Sequence, residues 1–249
     1  GLRIERLQLQ RDALSVDIQG TVQPRGDWPL SLTGDVTLPA PGETPWQLAV
    51  QVSGDLLHSL NLQADSQGYL NGRLTGDVQP LADHLPAQVQ LEADGFLASP
   101  DLPPTLRLDD LVLKAEGNLQ DGYAIDGAAR LPAEEGPMAL RLLGSGTAEG
   151  AQIEALDLTA NPAQRVQLSG SLDWRESFSL DSRFDWQDFP WQRLYPLDEP
   201  PPVALRTLKG ELAFADGNYL GNFAADLQGP AGDFSVSSPV SGDLQQVYL

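Results

Sequence analysis

The stretch Phe184–Leu249, FDWQDFPWQRLYPLDEPPPVALRTLKGELAFADGNYLGNFAADLQGPAGDFSVSSPVSGDLQQVYL, decides the reading of the fold. It opens on an aromatic cluster of Phe184, Trp186, Phe189 and Trp191 and passes a proline-rich break at Pro200–Pro202. Short alternating segments follow, punctuated by Gly210, Gly217, Gly221, Gly229 and Gly242. Apolar and polar residues that alternate over short runs, with a turn about every ten residues, are the pattern of half-buried β-strands.

The rest of the chain repeats the theme with fewer aromatics. Val16 and Ile18 alternate with Ser15 and Asp17 ahead of Gly20, and Leu48, Val50 and Val52 alternate with Ala49 and Gln51 ahead of Gly54. Leu60 and Leu62, Val89 and Leu91, Leu140 and Leu142, Leu156 and Leu158, and Val166 and Leu168 do the same. Two apolar positions followed by glycine recur roughly every 20 residues, an imperfect internal repeat. Steps of three replace steps of two at Ile4–Leu7, Leu108–Leu111 and Ile153–Leu156. Such steps predict bulges or face switches. The run Leu30–Leu38 reads as a strand broken at Gly34. The pattern predicts roughly 16 to 20 short strands, and the short connections make neighbours antiparallel. Single helical turns are expected at Leu81–Leu85 and Arg193–Tyr195. Residues 1–183 form a repetitive β region and residues 184–249 a unit continuing the same sheet, with the proline-rich break inside it. Pro100–Pro104 is a weaker candidate boundary.

Composition bounds the function. The 249 residues carry 15 Lys+Arg against 35 Asp+Glu, a formal net charge of -20. That balance excludes the basic footprint that nucleic-acid phosphates demand, and it opposes docking on an anionic lipid surface through charge. Contact with lipid must then run through apolar surface. The chain has no cysteine, so disulfides and thiolate metal sites are ruled out. No apolar run approaches the ~20 residues of a membrane helix. The chain starts at Gly1 and is expected to be a fragment whose parent carries any anchor.

No constellation points to catalysis or to a cofactor. His58 and His84 sit in turn-like contexts without the spacing of a metal pair. Gly144-Ser145-Gly146 lacks the spacing of a nucleophile elbow. Asp109-Asp110 and Glu134-Glu135 are the best acid–base pairs for a glycosidase, yet adjacent acids in so acidic a chain read first as solvated loop residues. Trp186, Phe189, Trp191 and Tyr195 form either a binding platform or a core cluster stapling one part of a curved sheet. The chain is therefore expected not to be an enzyme.

The fold class is all-β: a long antiparallel sheet with one apolar face. Such a face is covered by a second sheet, by closure into a barrel, or by lipid chains lying in an open trough. Composition leans toward sandwich repeats. Trp186, Phe189-Pro190-Trp191, Leu208-Lys209-Gly210-Glu211-Leu212, Gly217-Asn218-Tyr219, Leu227-Gln228-Gly229-Pro230 and Ser241-Gly242-Asp243-Leu244 resemble a unit of the TamB family, which stands with the AsmA-like bridge proteins of Gram-negative bacteria. The resemblance turns the reading toward an elongated, twisted sheet curled into an open apolar trough, a β-taco. It implies a periplasmic, non-enzymatic conduit for phospholipid between inner and outer membranes, with an inner-membrane anchor in the parent and a TamA-like outer-membrane barrel as partner. In that reading phospholipid acyl chains lie along Val16, Ile18, Leu48, Val50, Val52, Leu60, Leu62, Val89, Leu91, Leu140, Leu142, Leu156, Leu158, Val166, Leu168, Leu212, Phe214 and Leu227. The other reading is a β scaffold or interaction module that offers sheet edges to client strands and assists outer-membrane protein assembly.

Overall fold

Alternating runs become strands, and strands pair in chain order. The computed structural model describes residues 1–42, 44–199, 201–243 and 247–248. Pro200, in the expected break, and Leu244, at the end of the quoted motifs, lie outside the described residues. The chain divides into two compact units, Gly1–Ala129 and Arg130–Leu249.

Unit 1 is an antiparallel meander. Strands β1 (Leu2–Arg11), β2 (Leu14–Val22), β3 (Pro29–Leu38), β4 (Trp46–Asp55), β5 (Leu60–Gly68), β6 (Gly72–Val78), β7 (Ala87–Ala93) and β8 (Asp109–Asn118) follow one another, each paired antiparallel with the next. An Asx turn at Asn118, whose side-chain oxygen accepts from the Gln120 and Asp121 backbone N–H groups, leads into β9 (Gly122–Leu131).

Unit 2 repeats the plan. Strands β10 (Met138–Gly146), β11 (Gly150–Asn161), β12 (Gln164–Asp173), β13 (Ser179–Gln187), β14 (Ala204–Ala215), β15 (Asn218–Gly229), β16 (Gly232–Asp243) and β17 (Val247–Tyr248) also pair antiparallel in sequence. Residues Ser179–Gln187 pair directly with Thr207–Ala215, so the proline-rich segment is a connection between neighbouring strands.

The sequence rules act locally as expected, with two exceptions. Register shifts fall at Ile4/Leu7 and at Ile153/Leu156. At the third step of three, Leu108 bridges Phe96 outside the regular ladder and Asp110 takes a positive φ of 49°. The strand read as broken at Gly34 is unbroken: β3 runs Pro29–Leu38. Gly34 pairs with Ile18, and a Cβ on Gly34 would meet Ile18 Cγ1 at 2.9 Å. The glycine makes room for the neighbouring side chain and does not end the strand. The other exception is Leu81–Leu85, an irregular turn in which His84 and Leu85 both have positive φ. The helical turn expected at Arg193–Tyr195 is a 3₁₀ turn at Trp191–Arg193; a second lies at Pro104–Leu106. Among the described residues no helix is long and apolar enough to cross a membrane.

Little of this surface is covered. The chain exposes 15724 Å². A compact protein of 26.8 kDa would expose roughly 10800 Å², and two separate compact units of half that mass roughly 13000 Å² together. Met138, 1% exposed, is the largest side chain that is fully buried among the described residues. Sandwich cores fill with interdigitating large residues; here the sheet stays an open antiparallel surface.

Candidate functional site

The strand registers line apolar side chains into rows across each unit. In unit 1 one row runs Ile18, Gly34, Val50, Ala64, Leu74, Leu91, Leu113 across β2–β8. The row beside it runs Gly20, Leu32, Val52, Leu62, Gly76, Val89, Ala115. Val16 and Leu48 lie in a third row with Val36, and Leu60 lies in a fourth with Leu30 and Val78. All are on one face, because successive rows are two residues apart along each strand. In unit 2, Leu142, Leu156, Leu168 and Phe184 form one row, and Leu140, Leu158, Val166, Trp186 and Leu208 the next. Leu212 and Phe214 continue that face on β14, and Leu227 continues it on β15 opposite Phe234.

Every one of the eighteen residues expected to line a trough is half-buried, neither enclosed nor open to solvent. Their same-face neighbours flank them across the strand pairs. Polar residues on the face are turned inward to protein partners. Ser66 Oγ accepts from Trp46 Nε1 at 2.8 Å and donates to the Leu70 carbonyl at 2.7 Å, and Ser182 Oγ donates to the Leu212 carbonyl at 3.1 Å. The face therefore offers dispersion and desolvation to an apolar ligand, with little to bind a charged head group.

The opposite face is polar and knitted by exposed cross-strand pairs. Arg73 Nε reaches Asp65 at 2.7 Å, Lys209 Nζ reaches Asp185 at 3.2 Å, and Asn222 Nδ2 donates to Glu211 at 2.9 Å. A recess of about 710 Å³ opens there in unit 2, lined by Ser169, Asp181, Arg183, Glu211 and Asn222 among others. Its lining is a mixture of both charges, without a group set apart for chemistry.

Two aromatic clusters close parts of the apolar face. In unit 2 the ring of Phe189, buried, meets the ring of Trp186 edge-on at 5.2 Å. In the segment that follows β13 Leu194 is also buried, as is Met138 at the start of β10. Arg193 ties that segment to the residues before β10, donating from Nε to the Glu134 carbonyl at 2.5 Å and from Nη2 to the Gly136 carbonyl at 2.7 Å. The Trp186 indole N–H is buried without a protein partner, so packing is what holds the ring. Of the four aromatics read as platform or core, Phe189 is buried, Trp186 and Trp191 are half-buried and Tyr195 is exposed; the cluster is a structural strap. In unit 1, Trp46, Tyr69 and Phe96 stack edge-on in series at 5.6 and 5.3 Å, and Tyr69 Oη donates to the Ala98 carbonyl at 2.9 Å. Sequence reading missed this cluster, because its members sit far apart in the chain, one at the start of β4 and two in separate connections, with no shared period.

The remaining candidates stay apart. Among the described residues no three His, Cys, Asp or Glu side chains come together to hold a metal ion. Asp109 is held by Arg107 at 2.7 Å, and Glu135 lies 4.0 Å from Arg193. His58 sits exposed at the end of β4, its Nδ1 2.6 Å from Asp55 Oδ1. That hydrogen bond, aided by the charges of Asp55 and Asp27, pushes the His58 imidazole above its ordinary value, and the same bond lowers the Asp55 carboxyl. A histidine favoured in its charged form by folding adds stability that is complete below about pH 6.5 and is lost as pH rises through the folded-state value. In an NMR titration His58 is expected to titrate above the ordinary value and to return to it in Asp55→Asn; a native midpoint at or below about 6.5 would remove the pairing.

With this geometry in place, the comparison with known proteins is decisive. The model of the TamB N-terminal domain family matches residues 1–199. The chain belongs to the TamB family. It is also 25% identical over 270 aligned residues to the translocation and assembly module subunit TamB of Haemophilus influenzae, an alignment that takes in the whole of this chain and 20% of the relative. The chain thus spans about a fifth of the length of that curated relative. No solved structure matches it. The TamB family match falls mainly on the repetitive strands before Phe184, where the sequence reading found only the general style. Membership of the TamB family points to a structural or transport module and away from a catalytic enzyme.

Proposed function

We propose that this chain is one segment of a hydrophobic conduit that carries phospholipid between the inner and outer membranes and supports outer-membrane assembly. Acyl chains lie against the apolar face and head groups stay in water. The observation that carries this reading is the half-buried state of that face: eighteen aligned Leu, Val, Ile and Phe side chains, none enclosed, in rows that pass from strand to strand. Burying a methylene gains about 0.8 kcal/mol, so a chain of ordinary length gains on the order of 10 kcal/mol if fully covered and about half that against one open face. That is enough for capture and low enough for movement along rows of similar residues. The H. influenzae relative is named as a subunit of a translocation and assembly module, which supports placing this segment in such a module. In this reading the segment lies within the periplasm, in a parent anchored in the inner membrane and working with a TamA-like outer-membrane barrel.

Native mass spectrometry of the gently purified chain, followed by lipid extraction, tests the proposal. Near-stoichiometric phospholipid is expected. A clean apo mass would turn the reading to the interaction scaffold, for which strand β1 supplies the favouring observation: it exposes Leu2, Leu7 and Leu9.

A further inference from the structure

The apolar rows of unit 2 change character at one strand. The row Leu140, Leu158, Val166 reaches Trp186 on β13 and goes on through Leu208 and Ala225. The row beside it, Leu142, Leu156, Leu168, reaches Phe184. The Phe184 ring lies over Gly210, where an added Cβ would meet Phe184 Cζ at 2.6 Å. In both rows the step on β13 exchanges aliphatic side chains for an aromatic ring. At Trp186 a further side chain stands on the row. Phe189 packs edge-on against the indole at 5.2 Å and is itself buried, so an acyl chain following this row meets Phe189 at Trp186.

The residues that carry Phe189 are held by a latch. The Glu134 N–H donates to the Arg193 carbonyl at 2.9 Å, and the Arg193 guanidinium donates to the Glu134 and Gly136 carbonyls. All three bonds are made by Arg193. Strands β10, β11, β12 and β13 pair in that order, so a tie from behind β13 to the residues before β10 passes the ends of β11 and β12. Leu131, Ala133 and Met138 on one side of the tie are buried, as are Phe189 and Leu194 on the other. Elsewhere in unit 2 only Ala225 is buried among the described apolar residues. Closure also has a cost. The Trp186 indole N–H is buried without a protein partner, and a stranded donor favours any state in which water reaches it. We propose that Asp188–Tyr195 is a gate on the apolar face of unit 2. Shut, it sets Phe189 across the row at Trp186; released at Arg193, it frees the step from Val166 to Leu208 for a passing acyl chain. The inference rests on the conduit reading and adds the place where passage is controlled.

A phospholipid with a pyrene-labelled acyl chain is loaded on the protein, which is then mixed with phosphatidylcholine vesicles holding a quencher. Arg193→Gln is expected to release the lipid at least about tenfold faster, the factor for weakening one charge-assisted hydrogen bond. Uptake should accelerate by the same factor and leave occupancy unchanged, since a gate alters both rates and a binding residue alters the affinity. Amide exchange should rise at residues 189–194 and 131–138 and stay as it was in β11 and β12. Arg175→Gln, at an exposed arginine of the β12–β13 connection paired with Glu149 and Asp173, is expected to change none of these. Equal or slower release from Arg193→Gln would overturn the gate and leave the conduit standing, whereas a wild-type chain that takes up no phospholipid would remove both. Unchanged exchange at 189–194 would show that Arg193 is no latch. Loss of protection throughout β10–β13 would make the segment part of the core of unit 2, and the gate would fall with it.

Discussion

Val50→Arg, Leu91→Arg and Leu158→Arg, each made alone, are expected to strip copurifying phospholipid from the chain while leaving strand content intact and thermal stability nearly so. The three positions lie in the central rows of the apolar face, and each is half-buried. Val50 is flanked across the sheet by Gly34 and Ala64, Leu91 by Leu74 and Leu113, and Leu158 by Leu140 and Val166. An arginine stem packs along such neighbours while its head rises to water through the uncovered side. With acyl chains present, the same head faces hydrocarbon, where a guanidinium costs roughly 2.5 to 3.5 kcal/mol. That corresponds to a loss of occupancy of about a hundredfold. Native mass spectra, extracted lipid and a melting curve on the same samples check both halves. A variant that unfolds is placing an unpaired charge in a closed core, and the trough reading would then fail at that position.

Val50 also shows how much could be read from sequence. Its neighbours alternate strictly, so its face was legible, and the same holds for Ile18, Leu91 and Leu158. The bulge between Ile4 and Leu7 was legible because a step of three cannot keep two apolar side chains on one face of a regular strand. Gly34 was misread because a pattern of residue types cannot tell a strand that stops from one that leaves room for Ile18 opposite. Trp46, Tyr69 and Phe96 were invisible as a group: their contact depends on where the β5–β6 and β7–β8 connections fold, which is set by packing across 20 or more positions of chain and by no local period. The family match lies on residues 1–199 for a related reason, since a repeated strand pattern carries its signal over many strands and in no single motif.

Phe189→Ala is expected to be the most destabilising single change in unit 2, at about 3 to 5 kcal/mol, the cost of removing a buried phenyl ring without collapse of its site. Phe189 is 4% exposed and meets Trp186 edge-on, and Leu194 in the same segment is buried. Leu158→Ala on the open face removes a side chain already half in water and should cost about half as much or less. In urea unfolding monitored by near-ultraviolet circular dichroism, the two variants should separate clearly, and a double-mutant cycle with Trp186→Leu should show a coupling of about 0.5 to 1.5 kcal/mol for the ring pair. Equal costs for Phe189→Ala and Leu158→Ala would make the two sites alike, and the distinction between a closed strap and an uncovered face would not stand. Unequal costs in the expected sense locate the packing that holds unit 2 at its strapped end and leave the rows of Leu140, Leu158 and Val166 free to serve a ligand, since residues that are not needed to close a core are available to cover an acyl chain.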